Sequence, residues 1–119
     1  MTGAAMTLDE KSAFNDRWLQ AWSDKDIAAL EQMYAADCTY NDASTAHGLT
    51  GRAALVGYLQ AMFPRVPDWH YEPDAIWETE GGYVARWFCQ MGDVRLRGLD
   101  FVQMRGGQIV HNEVYTHTL

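Results

Sequence analysis

The chain has no cluster of lysine and arginine. Nine basic side chains stand against sixteen acidic ones, for a net charge of −7 over 119 residues. The electrostatic footprint of a nucleic-acid or anionic-membrane binder is therefore missing, and neither partner is expected. No apolar run approaches the roughly 18–20 residues that span a bilayer. Met1 to Met6 also lack the basic start and apolar stretch of a secretory signal, so the expectation is a soluble, cytoplasmic protein. Cysteine is scarce: Cys38 and Cys89 stand far apart in apolar or strand-like sequence and read as buried free thiols. A nucleophile-elbow Gly-x-Ser-x-Gly, a phosphate-binding glycine loop, a dinucleotide fingerprint and a zinc-spaced His/Glu set are all absent. His111 and His117 lie about 20 Å apart along an extended strand at roughly 3.3 Å per residue, too far to share one zinc ion. No metal and no cofactor are expected, which leaves cofactor-independent chemistry or plain binding.

What the chain does have is apolar content: 48% hydrophobic and 13% aromatic residues, enough for one compact domain over residues 1–119, with 1–6 disordered. Thr7-Leu8-Asp9-Glu10 reads as a capping box, and Phe14, Trp18, Ala21 and Trp22 then recur at helical spacing, predicting a helix over about 8–23. Ser23-Asp24-Lys25-Asp26 breaks it and caps a shorter helix with a stripe of Ile27, Leu30, Met33 and Tyr34. Asp37 to Asp42 suits a short strand, Thr50 a third N-cap, and Pro64 a stop after Leu55, Tyr58, Leu59, Met62 and Phe63. Strand-like runs follow at about 69–79, 83–92, 94–105 and 108–117, separated by Gly81-Gly82, Gly92-Asp93 and Gly106-Gly107. Helices first and an antiparallel meander afterwards make an α+β layout. Pro73 predicts an edge position or a bulge in the first long strand.

Three strings then carry a resemblance: "DKDIAALEQMYAADCTYND", "GLTGRAALVGYL" and the closing "GGQIVHNEVYTHTL". In their order along the chain they resemble the SnoaL-like branch of the nuclear transport factor 2-like superfamily. The resemblance implies a cone-shaped fold, a curved mixed β-sheet wrapped round three helices of the N-terminal half, with an internal apolar pocket. It implies no single reaction, because that superfamily holds isomerases, cyclases, hydrolases, dehydratases and non-catalytic binding domains. In ketosteroid isomerases the general base is an Asp nine residues before the Gly that opens the third helix, and Asp42 and Gly51 keep that spacing. Comparison with the same enzymes puts Trp18 at the position of the oxyanion-hole Tyr and Asp100 at that of its protonated Asp. Limonene epoxide hydrolases use an Asp-Arg-Asp set. Against that set, Arg86 is kept while Phe88 and His117 stand where the carboxylates would be.

The residues themselves leave two readings of Asp42 open. It caps a turn by accepting from the backbone of Ser44 or Thr45, or it is a pocket carboxylate among Trp18, Tyr58 and Phe88 that takes a proton from carbon beside a carbonyl. A two-residue Gly106-Gly107 hairpin pairs Arg105 with Gln108. Strict alternation then sets Asp100, Val102 and Met104 on one face with His111, Glu113, Tyr115 and His117, unless a bulge intervenes. Glu113 across from Asp100 would keep one carboxyl protonated near neutrality. Arg86 reads as a partner for one of the acids or as a substrate anchor.

The expectation is a cofactor-independent acid/base enzyme acting on a small apolar carbonyl compound, an isomerase or aldol-type cyclase. Asp42, Asp100 and His117 are its catalytic candidates, and Trp18, Tyr58, Arg86, Phe88 and Tyr115 its substrate-binding ones. The alternatives are a non-catalytic small-ligand-binding or dimerisation module of the same fold, and an epoxide hydrolase with an altered acid/base set. An apolar open sheet face further predicts a homodimer.

Overall fold

The capping box forms as the sequence implies. The Thr7 hydroxyl accepts from the Glu10 N–H at 3.1 Å and the Glu10 carboxylate accepts from the Thr7 N–H at 2.9 Å, opening helix α1, Leu8–Ser23. The structure, a computed structural model, describes residues 5–119. The expected disorder of residues 1–6 therefore lies, for residues 1–4, outside the described residues, while Met6 packs against the core. Helix α2, Ile27–Met33, is capped by Asp26, whose carboxylate accepts from the Ala29 N–H at 3.0 Å. Tyr34 does not extend the helical stripe as expected. Its N–H closes the last turn on Leu30 O, its backbone is extended, and it begins strand β1, Tyr34–Asn41.

Strand β2, Leu49–Thr50, pairs with β1 through Thr39–Thr50. Thr50 is thus committed to the sheet, and the N-cap of helix α3, Arg52–Met62, passes to Gly51 at φ 92°, a region that side-chain-bearing residues rarely enter. Pro64 sits in a 3₁₀ turn, Phe63–Arg65, that ends the helix. Four long strands follow: β3 Trp69–Thr79, β4 Gly82–Met91, β5 Val94–Arg105 and β6 Gln108–Thr118. The sheet order is β2-β1-β6-β5-β4-β3, antiparallel throughout except for the parallel β1–β6 pair. Three helices plus a curved, unclosed mixed sheet give the expected α+β cone.

Pro73 lies on the edge strand β3, and the register slips between Pro73 and Ala75, so Asp74 forms a bulge. Both roles open to proline in a sheet are used at once. Helix α1 crosses β3 with Phe14, Trp18, Leu19 and Trp22 buried, at spacings of four, one and three that keep them on one stripe. Full burial of each large apolar side chain contributes roughly 1.5–3 kcal/mol before the entropy of ordering is counted. Lys11, at the rim of that stripe, is buried along its stem while its Nζ reaches Glu78 at 3.0 Å. Cys38 and Cys89 are buried and free. Among the described residues no helix is long and apolar enough to cross a membrane.

Candidate active site

Between the helices and the inner face of β3–β6 runs a cavity with a wide mouth and a narrow end. The mouth, about 240 Å³, is bordered by Asp42, Tyr58 and Trp69. The narrow end, about 30 Å³, reaches Trp18, Leu19 and Asp100. Trp22, Tyr40, Tyr71, Trp87 and Val114 line both parts and join them into one space.

The narrow end is built on a chain of buried polar groups. The Trp87 indole N–H donates to Asp100 Oδ2 at 2.5 Å, and the Asn112 amide donates to Asp100 Oδ1 at 2.9 Å. Asn112 Oδ1 in turn accepts from the Tyr34 hydroxyl at 2.9 Å, and Tyr34 accepts from the Trp18 indole N–H at 3.2 Å. Trp18 therefore does not aim its N–H at a ligand beside Asp100, as the resemblance implies. Its ring lines the cavity, and its donor is spent on Tyr34. Burial pushes the Asp100 carboxyl up to about 7, against the opposing effect of the Asn112 and Trp87 donors. Burial also holds the Tyr34 hydroxyl well above its ordinary value, with the nearby Asp100 charge adding to it. Both side chains bonded to Asp100 are donors, so the protonated carboxyl keeps an O–H for which neither is an acceptor.

Trp87 and Asn112 are the residues that sequence reasoning missed. Trp87 faces inward because Arg86 and Phe88 face outward, and it stands opposite Gly98 on β5. A Cβ at Gly98 would overlap the six-membered ring of Trp87, so the bare backbone there lets the indole lie across β5 and reach Asp100. A glycine inside an otherwise strand-like run was the available signal.

At the mouth, Asp42 caps the turn and also borders the cavity. Oδ1 accepts from the Ser44 N–H at 2.8 Å and the Thr45 hydroxyl at 3.3 Å, the turn-capping arrangement. Oδ2 accepts from the Tyr40 hydroxyl at 2.7 Å and the Tyr58 hydroxyl at 2.8 Å, and lines the cavity. Burial, then the hydrogen bond to Asp42, pushes the Tyr58 hydroxyl up to about 12. Burial holds that of Tyr40 well above its ordinary value.

The remaining candidates do not face this space. In β6 the partners run Met104–Ile109 and then Gln103–His111, so Val110 is an extra residue. Beyond that bulge the parity is reversed. Asn112 and Val114 lie on the Asp100 face, while Glu113 opposes Phe101, Tyr115 opposes Leu99 and His117 opposes Arg97 on the outer face. The expectation from strict alternation is corrected accordingly: Glu113 bonds His111 and Tyr115 rather than coupling to Asp100, and His117 contacts Arg97 at 3.0 Å. Arg86 is no partner of the inner acids either. It bonds Asp74 at 2.6 Å and lies over the Trp77 ring. Phe88 is outward as well, under Arg95. Arg86, Tyr115 and His117 instead border a separate hollow of about 200 Å³ on the outer face. Among the described residues no group of three His, Cys, Asp or Glu is placed to hold a metal.

Residues 15–112 match the family model of the SnoaL-like domain. The chain belongs to the SnoaL-like family. Solved structures with the same ketosteroid-isomerase-like, nuclear transport factor 2-like fold include a protein provisionally described as a ketosteroid isomerase from Kribbella flavida. It is 17% identical, at a TM-score of 0.77 over 92% of this chain and 78% of that one. A SnoaL-like protein of unknown function from Burkholderia thailandensis is 15% identical, at a TM-score of 0.77 over 95% and 99%. A protein provisionally described as an isomerase from Bacillus subtilis is 13% identical, at a TM-score of 0.78 over 94% and 90%. Identities this low establish the shared fold. No curated protein matches the chain. The SnoaL-like cone thus presents an inner cavity with Asp100 at its narrow end and Asp42 at its mouth.

Proposed function

We propose that this SnoaL-like protein is a cofactor-independent acid/base catalyst that moves a proton on a small apolar carbonyl compound, as an isomerase or an aldol-type cyclase. The observation that carries the reading is the buried Asp100, raised to about 7 and held by Trp87 and Asn112 at the end of an aromatic-lined cavity. A carboxylic acid kept neutral near pH 7 donates a hydrogen bond to a carbonyl oxygen and strengthens it as negative charge develops there. Asp42 takes a proton from the carbon beside that carbonyl, and the C–H electron pair moves into the enolate. Return of the proton at another carbon gives an isomer. Attack of the enolate carbon on a second carbonyl forms the ring bond, and the resulting alkoxide takes the proton back.

Asp42 accepts four hydrogen bonds, about the number of lone-pair sites that a carboxylate offers. Proton abstraction therefore requires one phenol to yield its place, and Tyr58 on α3 is the less buried of the two. The same saturation favours a second reading, a non-catalytic ligand-binding module. Two groups of an epoxide-hydrolase set, Arg86 and His117, lie on the other face of the sheet, so that third alternative draws no support from the cavity.

Hydrogen–deuterium exchange beside the carbonyl of a small cyclic ketone tests the proposal. The wild type is expected to catalyse exchange and Asp42→Asn to abolish it, with a stability loss of about 1 kcal/mol because Ser44 keeps an oxygen acceptor. Equal exchange in the variant removes Asp42 as the base, and no exchange in the wild type favours the binding module. The outer sheet face, with Trp77, Leu99 and Tyr115 exposed, supports pairing of two copies.

A further inference from the structure

The cavity contains negative charge and no positive charge. Its lining includes the Asp42 carboxylate but no lysine, arginine or histidine, and among the described residues neither Asp42 nor Asp100 has an ion-pair partner. Every side chain bonded to either carboxyl is a neutral donor. Six aromatic rings line the wide end, Trp22, Tyr40, Tyr58, Trp69, Tyr71 and Trp87, beside aliphatic side chains such as Met62 and Leu96. Trp22, Trp69 and Tyr71 stand 5.3–6.5 Å apart with their planes tilted 55–74° to one another, so they make a corner of ring faces and edges rather than a parallel stack. Only Trp69 already has a cation near it, Lys25 Nζ at 5.8 Å from the ring centroid. Lys25 is not itself a lining residue, but its ammonium is held at the rim, on the lining residue Val66 through its carbonyl oxygen at 2.8 Å.

An aromatic corner beside an uncompensated carboxylate attracts a weakly hydrated organic cation. The ring faces carry negative charge density, and a methylated ammonium gives up little hydration to reach them. A neutral molecule of the same shape gains the apolar contact alone. The net charge of −7 adds a field that draws cations toward the mouth. We infer that the wide end of the cavity takes a methylated ammonium group, so that the ligand is an amine-bearing molecule whose cationic end sits among Trp22, Trp69 and Tyr71 near Asp42. The inference rests on the reading above in one respect, that this cavity is the ligand site, and it changes the substrate class from an apolar compound to one with a cationic end.

The test uses choline and its neutral carbon isostere, 3,3-dimethylbutan-1-ol, titrated separately into the full chain and followed by tryptophan fluorescence. Choline is expected to bind more tightly by roughly tenfold. Tyr71→Phe keeps that preference, while Tyr71→Leu loses most of it. If the isostere binds as tightly as choline or more so, or if choline gives no saturable response, the inference is overturned. Should Tyr71→Leu fail to fold, the comparison of the two ligands on the wild type still decides. Exchange on the neutral cyclic ketone without a preference for choline refutes this inference and leaves the proposed reaction standing. A preference for choline without exchange does the reverse.

Discussion

Asp100→Asn tests the neutral-acid role without requiring a substrate. An aspartate in an unfolded chain titrates near about 3.9, whereas burial raises Asp100 to about 7. The stability contributed by this group is whole below about pH 4, where folded and unfolded chains both hold the proton. It falls as pH rises toward about 7, because the folded chain retains a proton that the unfolded chain has lost, and it levels off above that. Three pKa units at 1.36 kcal/mol each make the full loss on the order of 4 kcal/mol, of which somewhat more than half falls between about pH 5 and pH 8. Asparagine does not titrate, so the variant lacks this slope. Its single acceptor oxygen satisfies either Trp87 or Asn112 but not both, which subtracts a pH-independent cost of roughly 1–3 kcal/mol. Urea unfolding of both proteins at the two pH values separates the constant cost from the slope, because other titrating groups contribute alike to each. The wild type is expected to lose roughly 2–3 kcal/mol more than the variant between those pH values, a difference of roughly 1–2 M in the urea midpoint. Equal pH dependence of the two would mean that Asp100 ionises at an ordinary value, and the proposed hydrogen-bond donor would then be a carboxylate instead.

Gly98→Ala is expected to destabilise by roughly 1–3 kcal/mol, because the new methyl displaces the Trp87 ring. It should also alter the near-ultraviolet circular dichroism of that tryptophan, and an unchanged spectrum with unchanged stability would contradict the close approach. Tyr34→Phe leaves the Trp18 N–H and Asn112 Oδ1 without their buried partner, a cost of roughly 2–3 kcal/mol in thermal or urea unfolding. Sedimentation at micromolar concentration is expected to show a dimer that Tyr115→Glu disrupts from the exposed outer face, and a lone 13.5 kDa species for the wild type refutes that pairing.

The parts of the fold that were legible in the sequence are those set by interactions close along the chain. The Thr7/Glu10 capping box, the Pro64 stop, the Gly92-Asp93 and Gly106-Gly107 hairpins and the Pro73 irregularity appear as expected, while the first hairpin turns on Glu80-Gly81 and Gly82 enters β4. The site was less legible because its parity depends on Val110, whose extra place in β6 has no residue signature of its own. With that bulge unseen, alternation points His117, Tyr115 and Glu113 inward and hides Asn112. Trp18 could be placed on the right stripe of α1, but the destination of its N–H depended on Tyr34 entering β1 rather than ending α2. Asp42 and Asp100, which both border the cavity, could be singled out because their positions, not their partners, carry the resemblance to the isomerases.

Val110 has a consequence for how such a site diversifies. Taking Val110 into the ladder would slip the rest of β6 by one residue against β5, bringing Glu113, Tyr115 and His117 onto the Asp100 face and turning Asn112 out. Deleting Val110 would instead keep the present partners, because Met104–Ile109 and Gln103–His111 then follow without a gap. Which functional groups enter the cone is thus decided by whether this residue bulges rather than by whether it is present.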